Sequence, residues 1–287
     1  MSEAGSIDLS VRETGAPGSP AVVFLHGVGA SGGMWAEHMR LLDGHHCMAP
    51  DLPGHGGSNH VPWVSLKDTT EQVARFIESR TPSRRVHLVG LSLGGAVAHT
   101  LLARRPDLID RAIIDGAGVL PAWWTGLLTL GVAGVSPFIH RKLLIGVVHR
   151  ALGGDPSDME SFAADMRAAS PRAFRRAFAD ANGATISMEE VRAPCPTLLV
   201  AGEREPQALR ASNAALAGLM PNAVARFAPG LGHGWLAKTP ELHRRMVEAW
   251  ICGQELPAEL PQETTGWSRG RLARLLGGPV SALEGRR

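Results

Sequence analysis

Residues 86–95 read VHLVGLSLGG, and the fold of this chain follows from them. Val86 to Val89 is a short apolar run of the kind that forms a strand buried on both faces. Gly90-Leu91-Ser92-Leu93-Gly94 then sets glycines on either side of a serine, and residues 94–105 have helical spacing until Pro106 stops them. A G-x-S-x-G pentad alone is a weak signal in a chain with 34 glycines. Between a strand and a helix it is a strong one. The glycines permit a turn too sharp for side chains, the turn lifts the serine hydroxyl out of the sheet, and a helix N-terminus lies beneath it. A serine hydroxyl is a poor nucleophile at neutral pH until a base removes its proton. Ser92 is therefore the candidate nucleophile, and its base must come from elsewhere in the chain.

Working outward, residues 21–26 (AVVFLH) form a second continuous apolar run, ended by Gly27. Residues 7–13 alternate as an edge strand, and 45–49 form a weaker strand closed by the turn-rich DLPGHGGS of 51–58. Further strands are expected at 112–114, 197–201 and 224–227, and helices at 34–42, 66–79 and 241–252. Strands alternating with helices at short intervals predict an α/β fold, a mostly parallel sheet flanked by helices. Residues 1–115 and 191–252 make up that core. Residues 116–190 lack a convincing strand and read as a helical cap inserted on the sheet. Residues 253–287, rich in Pro, Glu and Gly, read as a linker leading to a basic tail with a short helical piece at 267–276.

The best candidate base is His233, in PGLGHGWL between the last strand and the last helix. Glycines on both sides let a loop tip carry the ring over the sheet edge. His45 and His46 lie in or near a strand, and His99 lies inside the helix after Ser92. The third group should be a carboxylate that fixes the imidazole tautomer and stabilises the imidazolium. The loop after the 197–201 strand offers Glu205 and, less favoured, Glu203; the end of the preceding strand offers Asp115, which stays open as the alternative acid.

Composition narrows the partners. Hydrophobic residues make up 44% and charged residues 20%, enough to bury a sizeable core. The net charge is only +2, and five arginines against Glu284 from Arg269 onward give the tail +4, leaving residues 1–268 at −2. No nucleic-acid surface is expected. Cys47, Cys195 and Cys252 are far apart and odd in number, which offers neither a disulfide framework nor a metal-ligand spacing. No metal and no cofactor are expected. The opening MSEAGSIDLS has no basic or apolar leader region, so a cytoplasmic location is expected. Residues 116–140 contain no Asp, Glu, Lys or Arg. Pro121, Pro137 and five glycines break that run, so a buried cap is favoured over a membrane-touching one, and a full span comes last. The oligomeric state is not legible.

Taken together, His26-Gly27-Val28-Gly29, the Asp51–Ser58 turn, the serine elbow, Gly202-Glu203-Arg204-Glu205 and the late Gly232-His233-Gly234 resemble the α/β-hydrolase superfamily. The likeness spans residues 7–252 in the order nucleophile, acid, histidine. It implies a cap inserted after the sixth strand position; the amino end departs from the family pattern in reading one strand short of the usual eight. The acid position of such proteins maps onto Glu205, a glutamate in place of the commoner aspartate. The resemblance also implies an oxyanion hole from the backbone N–H groups of Val28 and Leu93, with His26 and the Asp51–Ser58 turn as structural supports. A cap over the serine would be lined by Trp123, Trp124, Leu127 and Leu128, suiting a small lipophilic ester-type substrate, with peripheral membrane contact through the cap kept open. The expected activity is a serine hydrolase that cleaves a carboxylic ester through an acyl-enzyme. The alternatives are a lactonase, C–C bond hydrolase, thioesterase or cofactor-free perhydrolase on the same fold, or a weakly catalytic ligand-binding receptor. Haloalkane dehalogenases and epoxide hydrolases carry aspartate at the elbow, and Ser92 argues against both.

Overall fold

The computed structural model describes residues 9–81, 85–118, 125–183 and 195–263. The five residues of Ala21–Leu25 (β2, after β1 at Val11–Thr14) are all buried, as a run without polar alternation requires. Their side chains divide between two cores: Val23 and Leu25 face one side, Val22 and Phe24 the other. The same alternation runs through β3 (His46–Pro50), β4 (Val86–Leu91), β5 (Ile109–Asp115) and β6 (Thr197–Gly202), and β7 (Ala223–Ala228) closes the set. The sheet order is β1-β3-β2-β4-β5-β6-β7, with β1 antiparallel to β3 and every other pairing parallel. The described residues place seven strands in this one sheet.

Helices cover both faces. Among them are α1 (Ala36–Leu41), α2 (Leu66–Arg80) and α3 (Leu93–Arg104), then α4 (Thr125–Val135), α5 (Lys142–Ala151), α6 (Met159–Ala168) and α7 (Pro171–Gly183) between β5 and β6. The chain continues with α8 (Gln207–Leu219), α9 (Trp235–Lys238) and α10 (Pro240–Ile251). Val73 and Ile77 of α2, Val97 and Leu101 of α3 and Leu216 of α8 fill one core; Met39 of α1 and Met246 and Val247 of α10 fill the other.

The helices between β5 and β6 are fastened by their inner members. Asp165 of α6 accepts hydrogen bonds from the Ser31 N–H (3.0 Å) and hydroxyl (2.8 Å), and Ser170 N donates to the Gly54 carbonyl. Asp180 of α7 accepts from Trp63 Nε1 at 2.8 Å. A small core of their own joins Ile139, Ile145, Met166 and Phe174. The segment after α10 differs from the loose linker its composition suggests. Gln262 pairs antiparallel with Arg226, Phe227 N donates to the Pro261 carbonyl and Glu263 N to that of Ala225, so 261–263 strap the outer edge of β7. The residues of the expected basic tail lie outside those described. Among the described residues, no helix is long and apolar enough to cross a membrane.

Candidate active site

Four parallel strands in register end together at one edge: Leu25 pairs with Gly90, Leu91 with Asp115, and Asp115 with Val200. The carboxyl edge of such a sheet is where an α/β fold collects its functional loops. Ser92 follows β4 at φ 54° and ψ −110°, the only positive-φ residue other than glycine among those described. A side chain held there costs about 1–3 kcal/mol, and it persists only because the surroundings leave no alternative. Those surroundings are glycine. A Cβ on Gly90 would stand 2.4 Å from the Gly94 carbonyl oxygen, one on Gly94 2.2 Å from that of Leu25, and one on Gly95 2.6 Å from the Ala117 Cβ. Ser92 N donates to the Asp115 carbonyl at 2.8 Å and Gly94 N to that of His26 at 3.0 Å, which ties the elbow to strands on both sides.

His233 reaches the same edge on the loop between β7 and α9. Its Nδ1 lies 2.7 Å from Glu205 Oε2, and Gly202 N donates to Oε1 of the same carboxylate at 2.9 Å. The Glu205 side chain is almost wholly buried, and that of His233 is 23% exposed. A carboxylate can only accept, so Nδ1 carries the proton and Nε2 keeps its lone pair. The ring lies against Gly116 at φ 60°, where a Cβ would come within 2.7 Å of His233 Cε1 and 2.8 Å of Nδ1. Burial works against the charged ring, but the Glu205 charge and hydrogen bond outweigh it and hold His233 above its ordinary 6.5. Among the described residues Ser92 Oγ has no hydrogen-bond partner; a hydroxyl–imidazole bond of this kind often closes only around the substrate.

Asp115, the alternative acid, is not the partner of the histidine. It is fully buried below the edge and accepts from Trp235 Nε1 at 2.9 and 3.1 Å, and it lies 3.3 Å from His243 Nε2, whose Nδ1 in turn meets His38 Nε2 at 2.8 Å. Burial and the neighbouring Glu205 charge push its carboxyl up to about 8, which favours the protonated form. An acid in that form cannot stabilise an imidazolium by charge. The physical reason is reach: β5 ends at Asp115, whereas the turn after β6 carries Glu205 outward to the imidazole. Asp115 holds the site together instead, since its carbonyl takes the Ser92 N–H and its carboxyl takes Trp235, two residues past His233. Only the short spacing of Trp235 from His233 hinted at this in the sequence. Glu203 accepts from Gly230 N at 2.6 Å and braces the loop.

His26 and Asp51 take the supporting roles the resemblance implied. His26 Nδ1 donates to the Gly27 carbonyl at 2.8 Å and its Nε2 accepts from Leu52 N at 2.9 Å; burial pushes its pKa down to about 4, so the ring is neutral. In a trans peptide C=O and N–H point opposite ways, so pinning the Gly27 carbonyl on His26 turns the Val28 N–H away from it. Gly27 itself lies beside the elbow, its would-be Cβ 3.6 Å from that of Ser92. Leu93 opens α3, where an N–H has no intrahelical partner. Asp51 bridges Gly32 N and Gly57 N, at 2.7 Å each.

The expected cap lining is a different matter. Trp123 and Trp124 lie outside the described residues. Leu127 and Leu128 are 68% and 41% exposed, on a helix with no buried residue. An uncharged helix can face a protein interior or some other apolar medium, and its composition is the same in both cases. Among the described residues no cluster of His, Cys, Asp or Glu could hold a metal.

Residues 22–245 match the family model described as the alpha/beta hydrolase family. A protein of Gibberella zeae, named as an AB hydrolase superfamily protein, is 27% identical over 252 residues, covering 84% of this chain and 83% of its own. Among solved structures, a carboxylesterase of Nitrososphaera gargenis superposes with a TM-score of 0.76 at 17% identity, covering 88% of this chain and 96% of its own. The enol-lactonase of Burkholderia xenovorans LB400 gives 0.72 at 18% identity, with 85% and 96% covered. At such identities the two structures speak for the fold alone. The family match runs from β2 into α10 and takes in the elbow, the acid loop and the histidine loop, so the chain belongs to the alpha/beta hydrolase family.

Proposed function

We propose that the protein is a serine hydrolase that cleaves carboxylic esters with a lipophilic acyl or alkyl group through an acyl-enzyme. The observation that carries this reading is the His233–Glu205 pair, held with Nε2 unprotonated, on the same strand edge as the strained Ser92. In this reading Ser92 Oγ attacks the ester carbonyl while His233 Nε2 takes its proton. The tetrahedral oxyanion is met by the N–H groups of Val28 and Leu93, each such donor being worth about 3 kcal/mol. The imidazolium gives its proton to the departing alcohol, leaving an acyl-serine. Water, deprotonated by the same imidazole, then releases the acid and restores Ser92. Trp123 and Trp124, just before α4, are the proposed contacts of a lipophilic acyl or alkyl group. A lactone is an internal ester, so it enters by the same chemistry.

Intact mass after incubation with a fluorophosphonate, with turnover of an ester chain-length and lactone panel, tests the reading. The wild type should take one adduct and Ser92→Ala none, with turnover down by about 10⁴-fold or more and the circular dichroism unchanged. Ester turnover that survives Ser92→Ala unaltered removes the nucleophile. A folded wild type that takes no adduct points instead to a ligand-binding protein.

A further inference from the structure

The outer layer of the helices between β5 and β6 is unusual for a protein surface. Leu127 and Leu130 of α4 are 68% and 70% exposed and Leu143 of α5 is 82% exposed, with Phe138 and Val147 more than half exposed. These positions are ordered by helical geometry. In α5, Ile145 and His149, four residues apart, are buried, while Leu143 and Val147, also four apart, stand on the opposite face. In α4, Leu127 and Leu130 point outward while Val132 packs inward against the core of Ile139, Ile145 and Met166. The inner face is thus already satisfied and the outer apolar face has no cover among the described residues.

Charge says what would cover it. From Gly116 to Gly154 the chain contains Arg141, Lys142 and Arg150 and no aspartate or glutamate, although residues 1–268 as a whole are acidic. All three cations are exposed and form no ion pair among the described residues. They flank the exposed leucines, at the start and end of α5. A protein partner is a poor fit, because α4 offers only Thr125 and Thr129 as side-chain hydrogen-bonding groups where an interface needs about one hydrogen bond per 100–200 Å². A second copy fits worse, since a two-fold contact sets the same three cations on both sides of the patch with no acid in it to pair them. Nor is α4 a span: eleven residues make about 16 Å of helix against about 30 Å of hydrocarbon. An apolar face with a basic rim is the pattern of a helix that lies in the surface of an anionic bilayer.

We propose that the outer faces of α4 and α5 dock the protein on anionic lipid membranes, with the leucines in the acyl boundary and Arg141, Lys142 and Arg150 on the headgroup phosphates. The purpose of the docking, delivery of a lipophilic ester straight from the membrane, rests on the esterase reading; the docking itself does not. Co-sedimentation of the full chain with vesicles tests it, with Ser92→Ala alongside to measure binding with the chemistry removed. Both should bind vesicles of equal phosphatidylcholine and phosphatidylglycerol, bind pure phosphatidylcholine far less, and be released by salt. Leu127→Asp with Leu130→Asp and Leu143→Asp should weaken partition by at least about tenfold. Replacing the three cations by Gln should weaken it by about fivefold each on the anionic vesicles alone. All of these positions are exposed, so circular dichroism should be unchanged. A wild type that stays in the supernatant overturns the proposal, as does binding that ignores both sets of substitutions. A concentration-dependent dimer that the leucine variant abolishes, without vesicle binding, gives the face to a second copy and overturns it too.

Discussion

His233 owes its working tautomer to one contact, the carboxylate of Glu205 on Nδ1. In the proposed mechanism the neutral imidazole is the base, so the rate should fall as pH falls through the His233 pKa. Because Glu205 raises that pKa, the acid limb of kcat/KM should have its midpoint above 6.5 in the wild type. Glu205→Gln keeps the size of the side chain and removes its charge. It should lower kcat by about 10²–10⁴-fold and move the acid limb to lower pH, which a pH–rate profile of both proteins checks. At this scale the sequence was only partly legible. Ser92 and His233 could be read from glycines that only a sharp turn or a loop tip needs. The sequence favours Glu205 without excluding Asp115, because β5 and β6 lie side by side and both end at the same edge. Gly116, which makes room for the imidazole, is one glycine among many until the ring is seen against it.

Among the elements, the join between β5 and α9 carries the most consequence. Asp115 accepts from Trp235 and thereby fixes the loop that bears His233. Its carboxyl binds a proton in the folded chain up to about pH 8 and in the unfolded chain only to about 4. Between those values the folded state holds more protons, so this group lowers stability as pH rises. Asp115→Asn keeps an acceptor for Trp235 and has no proton to lose. It should gain in melting temperature relative to wild type as the buffer is taken from pH 6 to pH 8, with kcat unchanged within about threefold. Asp115→Ala leaves Trp235 Nε1 unpaired and should cost about 1–3 kcal/mol at any pH, read by chemical denaturation. The strands were legible from their continuous apolar runs, which burial on both faces demands. The environment of α4 was not, since lack of charge says what a helix avoids and not what it faces.

The whole molecule is a sheet with two edges treated differently. β1 closes one side as a short antiparallel strand, and the 261–263 strap closes the other, where Leu260 is buried and Glu263 pairs with Arg210 at 2.7 Å. Truncation after Gly253 should bare the β7 edge, cost about 3–5 kcal/mol in denaturant titration, and raise light scattering on storage. Composition hid this strap, because proline and glutamate suit an edge as well as a linker. The dihedral angles of Ser92 reach equally far. A backbone at φ 54° is open country for glycine and strained for any other residue. Ser92→Gly should therefore raise the global melting temperature by a few degrees, on the order of 1 kcal/mol, while ending turnover. Calorimetry beside an ester assay would show folding and catalysis competing for a single torsion. Drift under selection for a durable fold alone would favour glycine at this position before any other, so a serine held at that angle runs against the interest of the fold.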